Sequence, residues 1–170
     1  KAHGTVTMTN VLEQSLNTGA VFAARKIGKK NFLKYSKKFG FGEKTGIDLP
    51  DEVMGSLQNL LRKDSQELDL ATASFGQGTA VTPIQMVNAI SVFANGGLLM
   101  RPYLDAKMSP ETIRRVISEE TAKQVTGMME SAVREAGVAA VANYRVAGKT
   151  GTAQVPDFVH GGYGEDLIHT

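Results

Sequence analysis

One segment restricts the fold more than any other. Thr82, Pro83 and Gln85 together make a helix start: a capping hydroxyl, a proline at the first helical position and a glutamine that completes a capping box. Ile84, Met86, Val87, Ala89, Ile90, Val92, Phe93 and Ala94 then leave the helix apolar nearly all round, until Asn95-Gly96-Gly97 stops it. A helix with so little polar face needs cover, so this is expected to be the central core helix, with the rest of the chain packed about it. It is too short to cross a bilayer. No other apolar run approaches the roughly 20 residues of a spanning helix, and no signal peptide opens the chain, so a soluble globular piece is expected.

The composition can supply that core. Of 170 residues, 42% are hydrophobic and 21% charged, which argues against intrinsic disorder. A net charge of +2 and an aromatic content of 6% give no support to a nucleic-acid partner. Cysteine is absent, which removes disulfides, thiolate metal sites and cysteine nucleophiles together. His3, His160 and His169 are too scattered to suggest a metal site.

Around the central helix the chain reads as α+β. Met8, Val11 and Leu12 recur at helical spacing before the polar run 13–19 interrupts them; further helices are expected over about 20–27 and 31–39. Arg25, Lys26, Lys29, Lys30, Lys34, Lys37 and Lys38 make this stretch basic, either as a solvated face or as a patch toward an anionic polymer or lipid. Residues 41–66 read as a surface excursion with little regular structure. Two short strands are expected in 98–108 and 113–117, joined by a turn around Ser109-Pro110. Ser118 caps an amphipathic helix to about Glu135, with Ala122, Val125, Met129, Ala132 and Val133 toward the core. Residues 144–155 are expected to form a strand containing Gly148 and Gly151, and 166–169 to approach another. The fold class that follows is an antiparallel sheet with packed helices.

Two constellations could carry chemistry. Lys149-Thr150-Gly151-Thr152 combines a fixed positive charge, two hydroxyls and a glycine that contributes no packing to a strand. Such an edge suits a carboxylate-bearing peptide that adds as an extra strand, although an ordinary exposed strand reads the same way. A phosphate-binding loop does not fit, because Asn143 stands where that motif needs glycine and no helix follows. The second constellation is Ser15-Leu16-Asn17, which could also be a set of helix caps.

Taken together they fit a known set, since Ser-x-Asn and Lys-Thr-Gly are two of the three motifs of serine enzymes that act on β-lactams. Ser74-Phe75-Gly76-Gln77-Gly78, Val81-Thr82-Pro83-Ile84-Gln85-Met86 and Ala94-Asn95-Gly96-Gly97 resemble the stretch before the lysine motif in penicillin-binding proteins. The segment from Phe39 through Gly46-Ile47-Asp48-Leu49-Pro50 resembles the loop downstream of their Ser-x-Asn motif. The likeness is to the class B transpeptidases and runs along nearly the whole chain.

That resemblance implies a penicillin-binding transpeptidase-like fold and a peptidoglycan D,D-transpeptidase that acts on stem peptides and is acylated by β-lactams. It implies catalytic roles for Ser15, Asn17, Lys149 and Thr152, and substrate contacts from Lys149, Thr150, Gly151 and Thr152. Thr152 N–H would be one of two oxyanion donors. No metal or organic cofactor is implied. The parent protein is expected to be anchored in the bacterial membrane, on its extracytoplasmic (periplasmic) face, within a cell-wall synthesis complex.

The sequence departs from the family in one respect that matters. None of its nine serines has a lysine three positions later, so the Ser-x-x-Lys nucleophile motif is missing. The strand that follows Lys-Thr-Gly in the family is also expected to be missing. The simplest account is a partial transpeptidase domain over 1–170, cut at both ends, with an unpaired sheet edge open to association. The rival readings are a β-lactamase or β-lactam sensor, or a non-catalytic interaction module that keeps the fold.

Overall fold

The computed structural model describes residues 3–156 and 162–169. Its elements run α1 (Met8–Glu13), α2 (Asn17–Lys38), α3 (Gln58–Leu61), α4 (Glu67–Ser74), α5 (Pro83–Ala94), β1 (Leu98–Met100), β2 (Thr112–Arg115), α6 (Glu119–Ala136), β3 (Thr152–Pro156) and β4 (Tyr163–His169). The strands form two antiparallel pairs, β1 with β2 and β3 with β4, so the expected mixture of helices and antiparallel sheet is present.

The helix starts follow the sequence closely. Thr82 accepts from the Gln85 N–H, and the Gln85 side chain accepts from the Thr82 N–H at 2.9 Å, a reciprocal box at the head of α5. Ser118 caps α6, accepting from the Thr121 N–H at 3.1 Å. Only residues 14–16 of the polar stretch form the tight corner between α1 and α2; residues 17–19 already belong to α2. Gly28, at φ 73° and ψ 155°, breaks α2 into the two helical pieces that the sequence suggested, in a conformation an L side chain avoids.

Three expectations are corrected. The central helix is not covered on every side: Ala89 and Val92 are buried, whereas Val87 is 66% exposed and Ile90 44%. α5 packs on β1 and α6, while its Val87 and Ile90 side lies largely open. The excursion 41–66 has little regular structure beyond the short α3, as expected, yet it is pinned to the body. Gln85 is the pin. Buried to 1% exposure, it donates from Nε2 to the carbonyls of Glu43 (2.6 Å) and Met54 (3.0 Å). Glu52 fastens the loop's own turn, accepting from Thr45 N–H (2.6 Å) and Oγ1 and from Gly46 N–H (3.0 Å). Finally, β4 is a full strand where only an approach was read, so a strand does follow the Lys-Thr-Gly segment.

The core sits where α5 meets the first hairpin. Val92, Leu99 and Val116 are its fully buried members, with Phe39 and Ile117 packed against them. Phe39 and Phe93 stack with ring centres 5.7 Å apart. Arg114 ties this region to the end of α2, donating to the carbonyls of Lys37 (2.8 Å) and Lys38 (3.0 Å) in its last turn; the Lys37 carbonyl also accepts from Gly40 N–H at 2.9 Å.

Candidate active site

α1 ends in a Schellman turn: Leu16 N–H donates to Val11 C=O and Ser15 N–H to Leu12 C=O. The residue that closes such a turn is left-handed and usually glycine. Here it is Ser15, at φ 50°. The turn therefore holds a hydroxyl at the exposed corner between two helices, in a backbone conformation that costs a non-glycine residue energy. Asn17 follows two residues later as the first, exposed residue of α2.

Lys149 arrives from the far end of the chain. Its Nζ donates to Ser15 Oγ, and also reaches Thr150 C=O (2.8 Å) and Thr150 Oγ1 (3.3 Å). The side chain stays open to solvent overall, but the burial around its ammonium holds its pKa below that of an ordinary lysine. The two constellations, 134 residues apart in sequence, meet at one hydrogen bond.

The lysine motif is not inside a strand. The ladder opens at Thr152, opposite His169, so Lys149, Thr150 and Gly151 form the irregular approach to β3. A strand needs a neighbour, and among the described residues none faces 144–151. The approach leans on α6 instead. Gly148 N–H donates to Met129 C=O at 3.4 Å, and a Cβ on Gly148 would stand 3.3 Å from Val133 Cγ2.

A brace that the sequence reading missed fixes the spacing. Glu13, two residues before Ser15, accepts from Ser131 Oγ on α6 at 2.6 Å and from Asn10 Nδ2 at 2.9 Å; Arg134 donates to Ser131 at 2.9 Å. The Ser131 and Asn10 bonds, aided by Arg134, hold the Glu13 carboxyl below its usual pKa despite partial desolvation. Because α6 carries both this brace and the contact to Gly148, one helix positions both halves of the site. The only signal in the sequence was a glutamate amid the turn residues, which does not announce a partner 118 residues away. Beside Lys149 and Thr150 an open groove of about 280 Å³ runs between α1 and α6, walled by Leu12, Val133, Ala136 and Val138.

Chemically, the arrangement offers a cation and several hydroxyls around a solvent-open cleft, suited to an anionic substrate terminus and to proton transfer through hydroxyls. Among the described residues no three His, Cys, Asp or Glu side chains are placed to hold a metal ion, and no helix is long and apolar enough to cross a membrane.

Comparison with known proteins identifies the family. Residues 1–167 match the model of the penicillin binding protein transpeptidase domain. Stage V sporulation protein D of Bacillus subtilis is 46% identical over 166 residues, covering 89% of this chain and 25% of that protein. Peptidoglycan D,D-transpeptidase FtsI of Escherichia coli K12 is 33% identical over 153 residues, 88% of this chain and 26% of the relative. Among solved structures, the transpeptidase domain of Burkholderia pseudomallei penicillin-binding protein 3 superposes with a TM-score of 0.84 at 30% identity, over 97% of this chain and 50% of that one. Penicillin-binding protein 3 of Mycobacterium tuberculosis, solved with ampicillin, gives 0.82 at 28% identity, over 96% and 42%. A penicillin-binding transpeptidase fold is thus the class that the structure and its relatives define. The chain belongs to the penicillin-binding protein transpeptidase family, and it spans about a quarter of the length of the curated relatives it matches.

Proposed function

We propose that this chain is the part of a peptidoglycan D,D-transpeptidase that carries the Ser-x-Asn loop and the Lys-Thr-Gly segment, and that it cross-links stem peptides by serine acyl transfer. The observation that carries the reading is the Lys149–Ser15 hydrogen bond, which joins two motifs no local rule would bring together.

In this reaction a serine Oγ attacks the carbonyl of the D-alanyl-D-alanine bond. The C–N bond breaks, and the departing D-alanine amine takes a proton. An amine on a neighbouring stem peptide then attacks the ester, forming the cross-link and returning the proton to the serine. The nucleophile and its lysine lie outside these 170 residues. Lys149 supplies positive charge for the terminal carboxylate, with Thr150 and Thr152 offering hydroxyls and Gly151 a side-chain-free backbone. Ser15, bonded to Lys149, stands on the proton's route to the leaving amine, and Asn17 orients the substrate amide. By family likeness the Thr152 N–H takes one oxyanion position, a donor worth about 3–4 kcal/mol to the transition state. β-Lactams acylate the same serine because they mimic the peptide terminus. The whole protein is membrane-anchored, works on the extracytoplasmic side and belongs to a cell-wall synthesis complex.

The test is acylation of a longer protein that carries this chain together with a Ser-x-x-Lys segment, using a labelled penicillin. Lys149→Ala should slow acylation at least 100-fold while the protein stays folded. Acylation at the wild-type rate would overturn the reading.

A further inference from the structure

One glycine stands where a helix gains least from it. Gly19 is the third residue of α2 and has ordinary helical backbone, so it serves no left-handed turn and costs the helix stability relative to alanine. Its reason lies across the corner. A methyl carbon added at Gly19 would run into both methyls of Val11, 2.6 Å from Cγ1, and would lie 3.1 Å from Val11 Cβ. Carbon atoms in good contact are about 3.5–4.0 Å apart. Rotating Val11 gives no escape, because a valine in a helix keeps essentially one rotamer and its Cβ does not move with χ1. Val11 is itself buried, in the middle of α1. At this point α1 and α2 approach so closely that only the absence of a side chain allows it.

From this contact we infer that Gly19 is a positioning residue for acyl transfer: paired with Val11, it sets the corner that presents Ser15 and Asn17. The inference rests on the transpeptidase reading and adds to it a residue that touches neither substrate nor Lys149. The same pair also anchors the corner's backbone from both sides. Leu16 N–H donates to Val11 C=O at 3.0 Å, and Leu16 C=O accepts from Gly19 N–H at 3.0 Å. Ser15 lies midway between them in the chain, four residues from each. The Glu13 brace fixes α1 against α6. The Val11–Gly19 contact then fixes α2 against α1, and with it Asn17, which opens α2 two residues before Gly19. Relieving the overlap that a methyl would create takes a shift of about 1 Å between the two helices. A displacement of that size near reacting groups can cost about 100-fold in rate.

The experiment follows acylation at saturating labelled penicillin in the longer protein that carries this chain and a Ser-x-x-Lys segment, with the folded fraction and melting temperature of each variant measured beside it. Gly19→Ala should acylate about 100-fold more slowly per folded molecule. Combining it with Val11→Ala removes the overlap, so the double variant should return to within about tenfold of wild type, a rescue that two independent losses cannot give. Gly127→Ala makes the same change at an exposed helical position with nothing within 4 Å, and should acylate as the wild type does. The inference is overturned if Gly19→Ala acylates normally per folded molecule, even with a lowered melting temperature, since the role would then be structural. It is also overturned if the double variant is no faster than Gly19→Ala, or if Gly127→Ala loses as much. Should Gly19→Ala not fold, the double variant decides: recovery supports the inference, and acylation as slow as that of Lys149→Ala overturns it. Lys149→Ala also separates the two readings. Normal acylation there sinks the transpeptidase reading itself, whereas slow acylation there beside a normal Gly19→Ala sinks this inference alone.

Discussion

Ser15 carries two demands that conflict. Its left-handed backbone asks for glycine, whereas the Lys149 contact asks for a hydroxyl. Removing the hydroxyl in two ways separates them. Ser15→Gly should be more stable than Ser15→Ala by about 1 kcal/mol in urea unfolding, the reverse of the order at an ordinary helical position. Equal stabilities would show that the corner is unstrained. Glu52 makes a different statement at the same scale. Burial alone would push its pKa up, but the hydrogen bonds from Thr45 and Gly46, with Lys44 nearby, outweigh this and hold the group below its ordinary 4.5. A carboxyl lowered in the folded state stabilises above its unfolded pKa and loses that contribution as pH falls through the folded value. Glu52→Gln should therefore cost roughly 1–2 kcal/mol at neutral pH, with the gap to wild type closing as the pH falls below 4.5 and through the lowered folded value in unfolding titrations. A gap that persists into acid would assign the effect to packing.

Between elements, the pin from α5 into the 40–54 loop is the most exposed to a single change. Gln85 is buried and serves two carbonyls with its amide nitrogen and one N–H with its oxygen. Gln85→Leu keeps the volume and leaves those groups without partners, so it should cost about 2–4 kcal/mol in chemical denaturation and loosen the loop to protease. A cost under about 1 kcal/mol would mean that water replaces the amide. The capping box containing this residue was plain in the sequence, because capping is local: Thr82 and Gln85 lie three residues apart. Its second task was not, because the carbonyls it serves lie 31 and 42 residues away and carbonyls have no residue identity. The same divide explains the rest. Helix starts at Thr82 and Ser118 were legible from adjacent residues, and so was the first hairpin in outline, although its first strand ends at Met100 and not near 108. The strand status of 144–151 and 163–169 depended on which partner lay opposite, and short-range pattern cannot report that.

For the molecule as a whole, exposed apolar surface is the outstanding property. Leu68 (71%), Val87 (66%) and Phe22 (59%) lie open, and among the described residues β3 and β4 form a sheet of two strands. Surfaces of this kind associate. Light scattering should show mass growing with concentration, and a strictly monomeric species with a sharp melt would contradict this. With no Ser-x-x-Lys among its residues, the 170-residue chain should also form no covalent adduct with labelled penicillin, as intact mass would show. At this scale the site was legible only through likeness: the motif pair said that Ser15 and Lys149 belong together, and the brace through Glu13 and Ser131 that keeps them so became visible only in three dimensions.

That meeting is the claim on which the functional account stands, and the absence of cysteine makes it directly measurable. Ser15→Cys introduces the chain's single thiol, which a short amine-to-thiol reagent can join to any lysine within reach. Peptide mapping should find the thiol linked chiefly to Lys149, 134 positions away, and this link should fade in denaturant. Linkage to Lys26 or Lys29 with none to Lys149 would contradict the account.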